Sequence, residues 1–565
     1  MIKKLILFTM ITLSAGFVNA QAPEWLWAKS AGGIKNENRG FIAEDASNNI
    51  YFVGDFHSTS LNFGSTTLLN TDISGYNSDL FITKYDENGN LLWAKSAGGL
   101  GEDYTFSIDV DELGNIYVLG LYSYTIVFDT ITLINPNALG SGYTIFLAKF
   151  NTNGNVLWAK SAIGTNNNNP DTPWSVAIDS SGNAYIVGYY GSDSISFDSI
   201  TLMNSDTTGN SLDLFIAKYN SIGNVLWAKS AGGTNDDIAS SVAINSNGSI
   251  IIAGEFASPT ISFDTSILTN INNNGNTNDL FIAKYDANGN ALWAKSAGGN
   301  NEDFAYSIES DSLGNSYMIG FFKSISINFS STTLTNVDNT ENSVDFFITK
   351  YDASGNVLWA KSNGGLNDDI AYSIALDTYG NPYIFGAFVS PVLTFGSTIL
   401  SNADATGNSN DLFVTKYDIS GNVVWSKSFG GTNNEYPCSV IVSRSGNTYV
   451  SGEFYSPTFT LGACTLTNMG SSDVFLAKLD FSYSIKDDKY SKIIKIFPNP
   501  SSNYLIIKTL QKATIEILNI QGKLLKILTT IEDKTCIDVS ALQGGVYIIK
   551  LTTAEGSMVG KFIKE

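Results

Sequence analysis

The sequence predicts an all-β protein, in which a seven-bladed β-propeller of four-stranded blades is followed by a small C-terminal β-sandwich. Three observations predict this fold: strand-like alternation along the whole chain, a unit of about 66 residues that occurs seven times, and a change of pattern near residue 480. Of the 565 residues, 43% are hydrophobic and 15% are charged, and much of the remainder is Gly, Asn, Ser and Thr. This composition favours strands and turns over helices.

The repeating unit is marked by a tryptophan in a segment of the type LLWAKS, which follows a segment of the type DLFIAKY. Within residues 371–428, two tight turns and one long polar stretch separate four strand-like segments. Four strands per unit are typical of propeller blades, and we expect the tryptophan to pack each blade against the next. The seven tryptophans are Trp27, Trp93, Trp158, Trp227, Trp293, Trp359 and Trp425.

The two ends of the array are complementary, which distinguishes a ring from a linear solenoid. Residues 24–30 form a fourth strand without a first, second or third, whereas residues 473–480 form a third strand that no tryptophan strand follows. Pairing the two would leave no exposed sheet edge. We therefore predict that residues 25–30 complete the blade made by residues 436–480 and close the ring.

Two segments carry a family resemblance for residues 25–480. "IDVDELGNIYVLG" (108–120) and "IALDTYGNPYIFG" (374–386) resemble the bacterial propeller repeats known as SBBP repeats, and the pattern is similar to that of NHL-type blades. The resemblance implies the propeller fold. It implies no single activity, because propellers host many.

The N-terminus has the features of a secretory signal peptide over residues 1–20. Lys3 and Lys4 precede an apolar run, and Val18-Asn19-Ala20 provides a small-x-small cleavage site, so we expect cleavage between Ala20 and Gln21. A membrane anchor is the weaker interpretation because the apolar run is too short to span a bilayer. No other segment is apolar enough to cross a membrane.

The chain changes character after the repeats. Residues 481–492 are polar and charged and are predicted to be a linker, and residues 493–565 show strand periodicity of their own. The tail motifs "KIFPNPSSNYLIIK" (495–508), "ATIEILNIQGKLLK" (513–526), "IDVSALQGGVYIIKL" (537–551) and "GSMVGKFIKE" (556–565) closely resemble the type A sorting domain of the Bacteroidetes type IX secretion system. The resemblance implies that the secretion machinery is a partner. It also implies passage through the periplasm, followed by release or display on the outer surface. A carbohydrate-binding sandwich is the alternative.

Charge and residue usage exclude several function classes. The net charge is −21, which disfavours nucleic acid as a partner but leaves cations, glycans and proteins open. His57 is the only histidine, so a zinc cluster or a catalytic triad would depend on it alone, and no catalytic residues are predicted. Arg39 and Arg444 are the only arginines, too few for a sialidase site. Cys438 and Cys464 fall in one repeat and either pair or remain free thiols.

The links between successive blades are repeatedly acidic. Their carboxylates are a candidate ligand or Ca²⁺ site, because adjacent carboxylates with carbonyl oxygens suit that ion. The alternative is a solvated turn whose carboxylate caps the next strand. The candidate residues are Glu102, Asp103, Asp236, Asp237, Glu302, Asp303, Asp368 and Asp369.

Two further groups break the regularity of the repeats. Asp55, Glu255 and Glu453 share one position after the second-strand glycine, where the other units carry no acid. The third unit departs from the acidic links and offers Asp171 and Trp174.

We expect a secreted or cell-surface monomer that acts as a non-enzymatic binding or adhesion scaffold for a glycan or protein. This scaffold would bind through the face that carries the long polar loops. The alternatives are a polysaccharide-active hydrolase or lyase and a structural component of a surface layer.

Overall fold

The computed structural model of the chain describes residues 22–137, 142–165, 171–206, 211–272, 277–404 and 406–480, together with residues 495–497, 499–508, 513–519, 523–529, 534–553 and 556–565. These residues form strands and turns and contain no helix, so none of them lies in a helix able to span a membrane. The chain divides into two compact units between residues 481 and 482. The predicted signal peptide, its cleavage site at Ala20 and Gln21, and the linker at 481–492 lie outside the described residues.

The first unit contains repeated four-stranded antiparallel sheets, which we number 1 to 7 in the chain order of their first strands. The first strands are Glu37–Glu44, Asp103–Val110, Asp171–Ile178, Asp237–Ile244, Asp303–Ser310, Asp369–Leu376 and Glu435–Val442. The second strands are Ile50–Phe56, Ile116–Tyr122, Ala184–Tyr190, Ile250–Phe256, Ser316–Phe322, Pro382–Phe388 and Thr448–Phe454. The third strands are Asp79–Tyr85, Thr144–Phe150, Asp213–Tyr219, Asp279–Tyr285, Asp345–Tyr351, Asp411–Tyr417 and Asp473–Leu479. The fourth strands are Leu91–Ala97, Val156–Gly164, Val225–Ala231, Ala291–Ala297, Val357–Asn363, Val423–Phe429 and, for sheet 7, Trp25–Ala31.

Sheet 7 combines strands from both ends of this unit. Trp25–Ala31 pairs antiparallel with Asp473–Leu479, in a register that sets Trp27 opposite Lys478. The fourth strand of this sheet is therefore the first strand of the described residues.

Every long polar stretch between the second and third strands contains a two-stranded hairpin that the sequence pattern does not predict. These hairpins are Ser60–Phe63 with Thr66–Leu69, Thr125–Phe128 with Ile131–Ile134, Ser194–Phe197 with Ile200–Met203, Thr260–Phe263 with Ser266–Thr269, Ser326–Phe329 with Thr332–Thr335, Val392–Phe395 with Thr398–Ser401, and Thr458–Leu461 with Cys464–Thr467. Each strand has only four residues, so two buried side chains such as Leu61 and Phe63 were the whole periodic signal. The hairpins contact the fourth strands of their own and the preceding sheets, and so cover edges that would otherwise invite pairing.

The first strands are neighbours of one another. Each contacts the first strands of the preceding and following sheets, and the first strand of sheet 7 contacts that of sheet 1. We call the surface formed by these seven strands the inner wall. Each of these strands carries a β-bulge near its middle, which turns one side chain out of the regular alternation.

The second unit is built from two antiparallel sheets. One contains Lys495–Phe497, Tyr504–Lys508 and Lys534–Asp538, and the other contains Leu524–Thr529, Thr514–Asn519, Gly545–Thr553 and Gly556–Lys564. Side chains from both sheets, among them Leu505, Ile517 and Phe562, pack into one buried core.

All three cysteines are free, so Cys438 and Cys464 do not pair. Cys438 lies in the first strand of sheet 7 and Cys464 in the hairpin of the same sheet.

Candidate functional site

The predicted packing tryptophans connect neighbouring sheets. The indole Nε1 of Trp293 donates to the carbonyl of Ala353 in the next sheet at 3.3 Å. A Cβ at Gly355 would stand 3.0 Å from the same indole ring, so the ring lies flat against that glycine. Trp93, Trp158, Trp227 and Trp359 make the equivalent hydrogen bond at 3.1–3.2 Å.

Two of the seven tryptophans lie at the ends of the array. Trp27, from the N-terminal strand, donates to the carbonyl of Glu87 in sheet 1 at 3.4 Å. Trp425 is buried and packs edge-on against Tyr383. Trp27 therefore contacts sheet 1 through the same hydrogen bond that links sheets 1 to 6 in sequence.

The second carboxylate of each predicted acidic link starts a first strand and is buried. Asp303 accepts hydrogen bonds from the backbone of Gly299 at 2.8 Å and from the Ser324 hydroxyl at 3.1 Å. Burial raises the pKa of Asp303 to about 8, and the nearby Asp279 adds to the shift. Asp237 and Asp369 are also buried and accept bonds from Ser258 and Ser390.

The glycine pair of the link makes room for this arrangement. A Cβ at Gly298 would stand 2.0 Å from the carboxylate oxygen of Asp279, and a Cβ at Gly299 would stand 2.4 Å from Ser324. The two glycines of the link therefore leave room for the buried carboxylate of Asp279 and for Ser324, the hydroxyl donor to Asp303.

Asp103 differs from its equivalents. Its sheet has Tyr124 at the position of the serine, and both carboxylate oxygens are buried without a hydrogen-bond partner among the described residues. Burial raises the pKa of Asp103 well above its usual range.

The first carboxylates of the links are more exposed than the second. Asp236 and Asp368 accept backbone hydrogen bonds from Leu212 and Val344 at 3.0 and 3.1 Å, and Glu302 is exposed. Within the described residues, no three side chains of the His, Cys, Asp and Glu types are grouped to hold a metal ion. Ligand or Ca²⁺ binding at the links stays a prediction.

The inner wall is where the sheets differ from one another. At the bulge of the first strand, sheets 2, 3, 5 and 6 carry an aromatic side chain, whereas sheets 1, 4 and 7 carry smaller residues. These positions are Gly40, Phe106, Trp174, Ser240, Tyr306, Tyr372 and Cys438. The scaffold contacts repeat from sheet to sheet, but this line of side chains does not.

Arg39 lies at the centre of one inner-wall cluster. Its guanidinium is 3.9 Å from Asp55 and donates to the carbonyl of Thr105 at 2.8 Å. The same group lies over the rings of Phe106 and Tyr104, at 4.2 and 4.8 Å from their centroids. Its backbone has a φ of 59°, a left-handed conformation uncommon for a residue with a side chain.

Two acids flank this arginine. The backbone N–H of Arg39 donates to Glu453 at 2.5 Å, and Asp55 is fully buried. Burial raises the pKa of Asp55 to about 7, because the nearby Glu453 adds to a penalty that Arg39 only partly offsets. The sequence had placed Asp55 and Glu453 at one repeat position but not beside Arg39. The sequence feature that could have drawn attention to this cluster is Arg39 itself, because the chain has only two arginines.

Glu102 extends the cluster toward the link. Its carboxylate accepts hydrogen bonds from the hydroxyl of Tyr104 at 2.7 Å and from the hydroxyl of Tyr143. His57 follows the second strand of sheet 1, and burial lowers the pKa of its imidazole although the charge of Glu102 opposes that shift. Its Nδ1 is buried without a hydrogen-bond partner in the described part of the chain.

The structure separates the two candidates of the third unit. Trp174 joins the inner wall, edge-on to Phe106 at 6.2 Å, and its indole N–H is buried without a partner among the described residues. Asp171 accepts hydrogen bonds from Ser192 at 2.8 Å and therefore belongs to the scaffold.

The C-terminal unit matches a known family. Residues 495–565 match the model of the secretion system C-terminal sorting domain. These residues are a sorting domain of the type IX secretion system. The sorting domain directs the chain through the periplasm to the cell surface or the medium, as the sequence predicted.

Relatives of the whole chain are more distant. An uncharacterized WD repeat-containing protein of Acanthamoeba polyphaga mimivirus is 25% identical over a match that covers 81% of this chain and 39% of that protein. The chain therefore spans less than half the length of this relative. Among solved structures, PorZ of Porphyromonas gingivalis, a surface component of the type IX secretion system, has a TM-score of 0.20 at 10% identity and covers 95% of this chain and 100% of its own. The structure described as YCF48 bound to D1 peptide has a TM-score of 0.36 at 8% identity, covering 82% and 98%.

Proposed function

We propose that residues 21–480 form a closed seven-bladed propeller of the SBBP type. We further propose that it acts as a non-enzymatic binding or adhesion scaffold outside the cell. Residues 1–20 are its signal peptide, residues 481–492 a linker, and residues 493–565 carry the address for export. Contacts between sheets 7 and 1 support the ring. Trp27 reaches the backbone of Glu87, Ser451 donates to the carbonyl of Gly40, and Glu453 accepts from Arg39.

One observation carries the binding role: the scaffold repeats, but the inner wall does not. A structural ring needs no variation at the bulge, whereas a ligand site needs side chains placed at particular sheets. Phe106 and Trp174 offer stacking surfaces, and the unpartnered indole N–H of Trp174 can donate to a hydroxyl or a carbonyl. A glycan or a protein segment has groups that match both features.

A glycan array probed with the full-length protein tests this role, with Trp174→Ala as the site variant. Ile222→Ala, on an exposed turn, is the matched control. We expect binding that Trp174→Ala abolishes and Ile222→Ala preserves. Binding unchanged by Trp174→Ala would remove the inner wall from the proposal. An array without hits, followed by a peptide library without hits, would refute the binding role.

A hydrolase or lyase is the second candidate, because Asp55 is a carboxyl whose pKa of about 7 suits proton transfer and Glu453 lies nearby. Its test is the release of new reducing ends from any glycan that binds, compared between the wild type and Asp55→Asn. If the wild type releases reducing ends and Asp55→Asn does not, the result favours the enzyme. If the wild type releases none, the result favours the non-enzymatic scaffold.

A further inference from the structure

A cavity of about 370 Å³ lies where the first strands of sheets 5, 6 and 7 enter their tight turns. That volume is within the range of sites that hold small molecules. We call it the turn-end cavity. Sheet 5 contributes an acid to its lining, sheet 7 contributes an arginine, and sheets 6 and 7 contribute aliphatic residues. The residues concerned are Glu309, Arg444, Ala375, Leu376, Val440 and Val442.

Glu309 is unlike its equivalents in the other sheets. The position one residue before the end of the first strand is Ala or Ile in five sheets, and it is an acid in sheets 2 and 5. In sheet 2, Asp109 accepts hydrogen bonds from the backbone N–H groups of Val110 and Ile178 at 2.7 and 2.8 Å. Among the described residues, Glu309 accepts only the N–H of Ser310, at 3.3 Å. One carboxylate oxygen of Glu309 is therefore left for a ligand.

The other acids in the lining already have cations. Asp311 has the ammonium group of Lys350 at 3.9 Å, and Asp377 has that of Lys416 at 3.0 Å. Glu309 forms no ion pair within the part of the chain that the structure describes, and burial raises its pKa to about 7. A cation bound beside Glu309 would favour its charged form, so the carboxylate can hold such a cation.

Arg444 enters the same cavity from sheet 7. Sheet 7 is the sheet with a cation at this turn position, and it has Ser443 where five sheets have Asp. The side chain of Arg444 is exposed and makes no ion pair or hydrogen bond with the described residues. Its charge acts on Glu44 of sheet 1, but burial outweighs that effect and keeps the pKa of Glu44 raised, at about 7. Arg444 is therefore available to bind an anion.

The end of the first strand adds a backbone donor near Arg444. In sheet 3, the N–H of Ile178, the last residue of the first strand, donates to Asp109 of the preceding sheet at 2.8 Å. Val442 is the equivalent residue of sheet 7, and Ala375 of the preceding sheet takes the place of Asp109. An alanine side chain cannot accept a hydrogen bond, so the N–H of Val442 is available to a ligand.

We propose that the turn-end cavity binds a short peptide with free ends. The carboxylate of the peptide pairs with Arg444 and accepts the N–H of Val442, and its ammonium group pairs with Glu309. Its aliphatic side chains lie against Leu376 and Val440. A peptide matches the acid, the arginine and the aliphatic lining together, whereas a glycan has no aliphatic side chain to place there. Capture of peptide ends by charged groups and free backbone N–H groups is a recurring mode of recognition.

This site is separate from the one proposed around Trp174 in sheet 3, so either can fail without the other. Isothermal titration calorimetry of the full-length protein at pH 7.5 tests it with leucyl-leucine and leucyl-leucyl-leucine, which extend over about 7 and 10 Å. The N-acetyl and C-amide forms of each peptide remove the charge of one end and keep the rest of the molecule. Digalacturonic acid represents an acidic glycan.

We expect a free peptide to bind, and each of its blocked forms to bind about tenfold more weakly. Glu309→Gln should weaken the free peptide about tenfold and leave the N-acetyl form unchanged, because that form has no ammonium group to lose. Arg444→Gln should weaken the free peptide about fivefold, a smaller effect because Arg444 is exposed, and leave the C-amide form unchanged. Glu112→Gln, at the turn position of Arg444 in sheet 2, is the matched control and should leave binding unchanged.

Free peptides that bind no better than both of their blocked forms would overturn the proposal, as would affinity unchanged in both Glu309→Gln and Arg444→Gln. Failure of both free peptides to bind at millimolar concentration, or binding of digalacturonic acid in their place, would overturn it as well. Melting curves establish that each variant folds. If one variant does not fold, the other variant and the blocked peptides on the wild type decide.

Discussion

Replacing Asp303 by asparagine should stabilise the protein at high pH and have little effect at low pH. Asp303 is buried beside Asp279, and burial raises its pKa from 3.8 to about 8. A carboxyl whose pKa is raised on folding stabilises the folded state while it is protonated. Its contribution is present at low pH and is lost as the pH rises from about 4 to about 8. Asparagine keeps the shape of the protonated acid and carries no charge.

The rise in the pKa of Asp303 sets the scale of the effect. Four pKa units correspond to about 5 kcal/mol between the two protonation states. Local relaxation and water entry reduce this difference, so we expect Asp303→Asn to gain roughly 2–3 kcal/mol at pH 8 and less than about 0.5 kcal/mol at pH 4.5.

Scanning calorimetry of the full-length protein at both pH values measures the gain. Asp286→Asn is the control with the opposite sign. Its exposed carboxylate accepts backbone hydrogen bonds from Asn288 and Asn290, and its pKa is lowered. Its contribution is therefore present above about pH 4 and is lost as the pH falls. An Asp303→Asn variant that is equally destabilised at both pH values would refute the assignment of a buried, raised-pKa carboxyl.

Three further predictions concern the scaffold. Gly298→Ala should cost about 3 kcal/mol of unfolding free energy, because its Cβ would stand 2.0 Å from Asp279. Gly248→Ala, whose φ is +79° with nothing within 4 Å of the Cβ, should cost only about 1 kcal/mol; calorimetry compares the two, and equal costs would contradict the packing argument. Trp293→Ala should lower stability by about 3 kcal/mol through lost contact between sheets 4 and 5, and an unchanged melting temperature would exclude a packing role. Deleting residues 22–31 should lower the melting temperature, and a synthetic peptide of that segment should restore it by strand addition; recovery with a scrambled peptide would argue against specific pairing.

Much of the fold could be predicted because the signal is repeated. A single seven-residue segment that contains a tryptophan does not establish a strand. Seven copies of it at a regular interval establish both the strand periodicity and the length of the repeating unit. The hairpins were missed for the opposite reason: Ser60–Phe63 has two buried side chains and lies among polar residues. Its structure depends on contacts with the fourth strands of two sheets, which a local pattern does not contain.

The candidate site was predictable only in part. The positions of Asp55, Glu255 and Glu453 stood out because they break the repeat, but their chemistry depends on which neighbour each one faces. Arg39 faces Asp55 through an unusual backbone conformation at a bulge, and the sequence does not specify such a register shift. The acidic links are a repeated feature of the sequence itself. Burial of one carboxylate in each link could not be read from their composition.

The pairing of Trp25–Ala31 with Asp473–Leu479 makes the order of synthesis matter to folding. Trp27 and Lys478 pair across 451 positions (478 − 27), and closing a flexible loop of that length costs about 5 kcal/mol of chain entropy. We therefore expect Trp25–Ala31 to pair later than the strands of the six sheets whose four strands follow one another in the chain. Sheet 7 is completed only when the residues directly before the linker and sorting domain have emerged. A protease that cuts after residue 25 in chains truncated before residue 473, but not in full-length protein, would reveal this delay. The N-terminal strand Trp25–Ala31 can therefore pair fully only in a chain that extends to the residues directly before the linker and sorting domain.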